Sequence, residues 1–231
     1  MKTSLKYPTC ATLSLCFTLT VSAFSQDSVS VQFVTFPIRT AADPVELIVA
    51  ESKTINVELP TNNLSKVYNT SRLTSWVLGK STTNQEGKTI FQTYGMAPVL
   101  SGNKQVILVI RKGNTDSDGY TLIPFNADDS GFSGGKYMIF NASQVDIAGE
   151  IGDQTFRLSP LHHTLSAPKP SKEENGKKYL YTTLYFRKGN EAEPFYTSTW
   201  RFSEKARSMV FLYHEPYEKR LRLHTIRDYL P

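Results

Sequence analysis

The commonest spacing between apolar positions along this chain is two. Thr54-Ile55-Asn56-Val57-Glu58-Leu59 alternates cleanly, and alternation of that kind sends successive side chains to opposite faces of an extended strand. Val31-Gln32-Phe33-Val34 begins another such stretch. Tyr179 to Phe186 and Phe195 to Phe202 are crowded with Tyr, Thr, Phe and Trp, types that fit a pleated surface. The run Gln105-Val106-Ile107-Leu108-Val109-Ile110 is continuously apolar after its first residue, as expected of a strand covered on both faces. Turns are predicted at Thr61-Asn62-Asn63, Gly113-Asn114, Asp118-Gly119, Gly134-Gly135 and Gly189-Asn190, where Gly, Asn and Asp accept the backbone angles that turns require. Pro168 to Lys178 is polar throughout and reads as a loop. No window sustains an apolar 3.6-residue repeat for three turns, so the pattern predicts an all-β chain, an antiparallel β-sandwich.

A faint repeat lies over this pattern. Val45-Glu46-Leu47 matches Val145-Asp146-Ile147, Thr54 to Val57 matches Thr155 to Leu158, and Leu64-Ser65 matches Leu165-Ser166. Val106 to Ile110 matches Met209 to Tyr213, and Tyr120 to Phe125 matches Leu221 to Ile226. The order is kept at an offset of about 100 residues, which points to a duplicated unit of six or seven strands. The alternative is one continuous sandwich whose strands merely look alike. Duplication would divide the chain into residues 1–25, 26–130 and 131–231, with Asn126 to Ser130 at the junction. Such an arrangement resembles tandem immunoglobulin-like or transthyretin-like modules in class, although no motif of either family is matched.

Residues 1–25 read as a secretory leader. Lys2 and Lys6 precede the uncharged apolar stretch Ala11 to Val21, and Ala23-Phe24-Ser25 carries small residues at both ends, a site that signal peptidase accepts. The stretch is shorter than the roughly 20 apolar residues of a spanning helix, and no later stretch is long enough to span a membrane. A lipoprotein leader would place a small residue before Cys16, where Leu15 stands. N-terminal sequencing of exported protein is expected to start at Gln26; a start at Met1 or at a lipidated Cys16 would overturn the export reading.

Both cysteines, Cys10 and Cys16, lie in the leader. The chain from Gln26 onward therefore has no disulfide, thiolate nucleophile or cysteine metal site. That points to a bacterial periplasmic or extracellular protein held by its core alone. Hydrophobic residues make up 39% of the sequence and charged residues 20%, enough apolar material for such a core. Past the leader, 24 Lys and Arg face 21 Asp and Glu, a charge of +3. Residues 26–130 carry 9 basic and 10 acidic side chains, and residues 131–231 carry 15 and 11. This is too mild an excess to make nucleic acid the expected partner. Asn63, Asn69 and Asn141 each open an Asn-x-Ser/Thr triplet, which matters only in a eukaryotic host.

Several motifs suggest chemistry that their surroundings do not support. Gly131-Phe132-Ser133-Gly134-Gly135 fits G-x-S-x-G, but a hydrolase elbow leads from a strand into a helix, and here Lys136 to Phe140 reads as a strand. All four histidines follow Ser133, opposite to the order of the trypsin-like proteases. Asn114-Thr115-Asp116-Ser117-Asp118-Gly119 resembles the start of a calcium loop, but Phe125 stands where the closing bidentate Glu belongs. His162 and His163 are adjacent, so on a strand they would face opposite ways, and His224 is far off in sequence. Asp128-Asp129 and Glu173-Glu174 sit in polar stretches. No phosphate-binding glycine loop or dinucleotide fingerprint is present, and no cofactor or metal is expected.

The aromatic distribution carries the remaining functional signal. Alternation places Tyr179, Tyr181, Thr183 and Tyr185 on one face of a strand and Leu180, Thr182, Leu184 and Phe186 on the other. The aliphatic face is the natural core side, so the tyrosines would form a half-wet platform suited to a glycan or a protein partner. A purely structural cross-strand ladder is the competing reading. Lys177, Lys178, Arg187 and Lys188 flank the stripe and would attract anionic partners. The candidate binding residues are Tyr179, Tyr181, Tyr185, Lys178, Arg187 and Lys188. The sequence thus predicts an exported, non-enzymatic module of the envelope or extracellular space that binds or supports a macromolecule. Its alternatives are a secreted hydrolase on a β scaffold and a surface subunit that self-associates.

Overall fold

The structure, a computed structural model, describes residues 28–36, 44–113, 116–128, 131–188, 191–214 and 220–230, with only the backbone of Lys188. Residues 1–25, read as a leader, Asn114 and Thr115 of the calcium-like stretch, Asp129 and Ser130 of the expected junction, and the expected turn at Gly189-Asn190 lie outside the described residues.

The fold is all-β and sandwich-like. Its first half runs β1 (Ser28–Phe36), β2 (Val45–Ala50), β3 (Lys53–Val57), β4 (Tyr68–Ser71), β5 (Ser75–Thr83), β6 (Thr89–Pro98), β7 (Lys104–Arg111) and β8 (Tyr120–Asn126), with a 3-10 turn at Asp116–Asp118. The second half runs β9 (Tyr137–Asn141), β10 (Ile147–Ile151), β11 (Gln154–Leu158), β12 (His163–Ser166), β13 (Lys172–Glu174), β14 (Lys177–Lys188), β15 (Glu191–Phe202), β16 (Ala206–His214) and β17 (Leu221–Tyr229).

Strand pairing follows the same order in both halves. The first half holds sheets β4-β1-β7-β8 and β3-β2-β5-β6. The second holds β12-β9-β16-β17 and β11-β10-β14-β15, with β13 added as an extra strand beside the start of β14. Most pairs are antiparallel, as the sequence predicts, but β1 runs parallel to β7 and β9 runs parallel to β16. Even an irregularity recurs. The β5–β6 register shifts after Leu78, leaving Tyr94 as the extra residue, and the β14–β15 register shifts after Leu184, leaving Phe195. A bulge of this kind bends and twists the strand that carries it.

Among the described residues, three cores separate four layers. Val31, Phe33, Ile107 and Val109 pack with Val45, Leu47, Trp76 and Leu78 between the two sheets of the first half. Ile139, Val210 and Leu212 pack with Ile147, Leu180 and Leu184 between the two sheets of the second. The alternate residues of the same inner strands meet in the middle: Val34, Phe36, Val106, Leu108 and Phe125 face Met138, Phe140, Met209 and Phe211. This two-sided coverage is the physical reason for the unbroken apolar run at Val106–Ile110 and its counterpart at Met209–Tyr213.

Asn141 and Gln105 are hubs for buried polar groups. Asn141, with no exposed surface, donates through Nδ2 to the carbonyls of Val145 (2.8 Å) and Leu158 (3.0 Å). Its Oδ1 accepts from the Ser143 amide (3.0 Å) and hydroxyl (2.6 Å). An amide with all four bonds satisfied stabilises its loop, and this burial makes the third Asn-x-Ser triplet inaccessible to glycosylation in the folded chain. Gln105 Oε1 accepts from Trp76 Nε1 at 2.8 Å, while its Nε2 donates to the Leu100 and Gly102 carbonyls.

The polar stretch Pro168–Lys178 contains a hairpin rather than a plain loop. Asn175 (φ 52°) and Gly176 (φ 69°) both take positive φ, the requirement of a two-residue turn that matches strand twist, and they bring Lys172–Glu174 against Lys177–Tyr179.

Candidate functional site

The tyrosine stripe lies on the outer face of the fourth layer. On β14, Leu180, Thr182 and Leu184 are buried toward the core, whereas Tyr181 is 54% exposed and Tyr179, Thr183 and Tyr185 are half-buried. Register extends the face sideways. Tyr179 lies beside Arg201, Tyr181 beside Thr199 and Thr183 beside Thr197 on β15. On the other side, Tyr185 lies beside Ala148 and Thr183 beside Glu150 on β10, with Arg157 and Thr155 beyond on β11.

Shallow grooves cross this face. One, of about 490 Å³, is lined by Tyr185, Arg157, Arg187, Asp146, Ser159 and Glu191 among others. Another, of about 420 Å³, runs beside Tyr181 and Thr183, with Glu150, Asp153 and Lys169 on its rim. The Asp153 carboxyl is held below its usual range, chiefly because it accepts the Lys169 amide (2.8 Å). Aromatic rings, cations and carboxylates therefore alternate across the surface, supplying stacking area, donors and acceptors together.

The candidate residues do not all share this face. Tyr179, Tyr181, Tyr185 and Arg187 have the same strand parity, and Arg187 lines the Tyr185 groove. Lys178 has the parity of Leu180 and pairs in register with Phe202. Its Nζ lies 2.6 Å from Glu204 Oε1, and that hydrogen bond raises the lysine above its usual range and lowers the glutamate below its own. The Lys188 side chain lies outside the described residues. Arg157 and Arg201 join the face through sheet pairing and not through nearness in sequence. Arg157 sits 28 positions before Tyr185 and belongs to a different hairpin, so only the register of β11, β10 and β14 reveals it.

Residues of three other motifs make local structural contacts. A Cβ at Gly134 would collide with the Glu204 carbonyl, and Gly135 has φ 78°, so the glycines of the G-x-S-x-G match let the chain enter β9 closely packed and left-handed. Asp116 Oδ1 lies 3.3 Å from Arg111 Nη2, which gives the calcium-like loop a cationic partner of its own. His163 packs edge-on against Phe125 at 4.7 Å, and burial, followed by the charge of His162, lowers its pKa below the usual value. Among the described residues, no group of three or more His, Cys, Asp or Glu converges in a metal-binding arrangement, and no helix is long and apolar enough to cross a membrane.

No protein-family model matches this chain, and no curated protein matches it.

Proposed function

We propose that this chain is an exported, non-enzymatic envelope or extracellular module that binds a glycan on the outer face of β10, β11, β14 and β15. The observation that carries the reading is the outward exposure of Tyr181, flanked by Tyr179 and Tyr185, on a strand whose opposite face is core. Arg157, Arg187 and Arg201 favour acidic polymers, while Glu150 and Asp146 offer acceptors to sugar hydroxyls. Tyr181→Ala is expected to weaken binding to a uronic-acid polymer such as alginate about tenfold, corresponding to about 1–2 kcal/mol at a true anchor. Its melting temperature should stay within about 1 °C, because a half-exposed side chain contributes little to the core. Raising salt should weaken the binding further, since exposed cations are screened. Alginate binding that is unchanged by Tyr181→Ala, or a large fall in stability, would count against the site.

We also propose that the two halves are tandem duplicates of one unit. The shared strand order, the paired parallel strands and the bulge recurring after Leu78 and Leu184 support this reading. The matches at β3/β11, β7/β16 and β8/β17 keep the same register in the two halves, whereas the match at β2/β10 is displaced by two residues.

A further inference from the structure

The two halves differ at one seam. In the first, β6 lies along β8. Gly95 makes this possible, since a Cβ there would stand 3.0 Å from the Tyr120 carbonyl oxygen, and Tyr94 meets Tyr120 edge-on at 5.7 Å. Counting from the shared bulge, the residue opposite Leu78 is Gly95 and the residue opposite Leu184 is Tyr196. A bulky ring therefore replaces a glycine at the position where the seam would close. Trp200 Nε1 donates to Tyr196 Oη at 2.8 Å, and Trp200 stacks on Tyr137 at 5.7 Å. β15 and β17 make no comparable approach. Between them lies a groove of about 300 Å³, lined by Tyr137, Tyr196, Trp200, Leu223, Arg201 and Arg227, with hydroxyl side chains completing it.

We infer that this open seam is a docking site for an extended acidic segment of a partner protein, which adds to β15 as a further strand. Three features carry the inference, and of the residues they use only Arg201 also belongs to the tyrosine face. First, β15 pairs only with β14 among the described residues, so its outer edge offers backbone donors and acceptors, apart from the Arg201 carbonyl that Arg227 occupies. Pro194 and the bulge at Phe195 guard the start of that edge, but Tyr196–Phe202 has no proline, and its only charge is Arg201. Second, the seam floor is aromatic and aliphatic, suited to the alternate side chains of an added strand. Third, the groove carries two arginines and no carboxylate among its described lining residues. Arg227 Nη2 donates to the Arg201 carbonyl, while its Nε is buried without a hydrogen-bond partner. A second copy of the chain fits less well, because its own Tyr196–Phe202 would bring a cation and no acid.

The test uses the full chain and a blocked nine-residue peptide of alternating valine and glutamate, with a valine–lysine peptide as control. The glutamate peptide is expected to slow amide exchange over Tyr196–Phe202 and leave β6 unchanged. Arg201→Glu should weaken it tenfold or more and admit the lysine peptide, whereas Tyr181→Ala should leave peptide binding unaltered. Equal binding of the two peptides, or binding that does not protect β15, would overturn the inference. So would dependence of peptide binding on Tyr181, or a dimer that protects β15 without peptide in sedimentation and exchange experiments.

Discussion

Residues 26–130 and 131–231, expressed separately, are expected to aggregate or stay unfolded, while the full chain unfolds in a single transition. The reason is the middle core. Val34, Phe36, Val106, Leu108 and Phe125 are each no more than 6% exposed, and so are Met138, Phe140, Met209 and Phe211 on the facing sheet. Cutting the chain at the junction would leave both sheets with a bare apolar face, larger than the patches monomers usually tolerate. At about 2 kcal/mol per buried large side chain, these nine residues represent about 18 kcal/mol, an upper estimate. That exceeds the roughly 5–15 kcal/mol by which a whole domain is stable. Within the full chain, Phe211→Ala should cost about 3–5 kcal/mol through lost burial and the cavity left behind. Calorimetry of the full chain, with size exclusion of each half, checks this expectation. Two resolved transitions, or a monomeric half with a cooperative melt, would mean that the middle interface is dispensable. Duplicate ancestry and independent folding are therefore separate questions, and the packing bears on the second.

The sequence conveys individual strands well and their assembly poorly. Alternation at Thr54–Leu59 and on β14 identifies the buried face because half-buried strands repeat every two residues. The run at Val106–Ile110 announces coverage on both sides, but it does not say what lies on the second side. That information is held in contacts between sheets distant along the chain, such as Phe36 against Phe211 and Tyr213. The hairpin at Asn175-Gly176 was locally encoded, since Asn-Gly is a strong turn signal, but the surrounding run of charges masks it. At the candidate site, strand parity finds the tyrosines and separates Lys178 from them. Arg157 and Arg201 enter only through register, which proximity along the chain cannot supply. The Tyr196 seam is more hidden still: its meaning emerges only by comparison with Gly95 after both bulges are aligned.

Replacing Arg207 with methionine is expected to destabilise the chain by about 3 kcal/mol, although Arg207 lies far from the tyrosine face. Its side chain is 7% exposed and bridges the junction to the second half. Nε donates to Asp228 Oδ2 at 2.8 Å, and Nη1 donates to the carbonyls of Ala127 (3.0 Å) and Phe132 (3.2 Å). The guanidinium also stands 5.1 Å from the Phe132 ring centroid, and Phe132 itself is 2% exposed in the middle core. Methionine retains much of the bulk, so the loss would come from two carbonyls and a carboxylate left without their donor. For a chain of this size, the change corresponds to a fall in melting temperature of roughly 6–12 °C. Asp228→Asn should cost less, about 1 kcal/mol, because the amide oxygen still accepts from Nε. In the double variant Arg207→Met/Asp228→Asn, the penalty should fall short of the sum, since no half-buried carboxylate then lacks a cation. Thermal melts of the three variants decide the matter. Additive losses would mean that Arg207 acts through the junction carbonyls alone, and an Arg207→Met melt within about 1 °C of the parent would remove the bridge from the account of stability altogether.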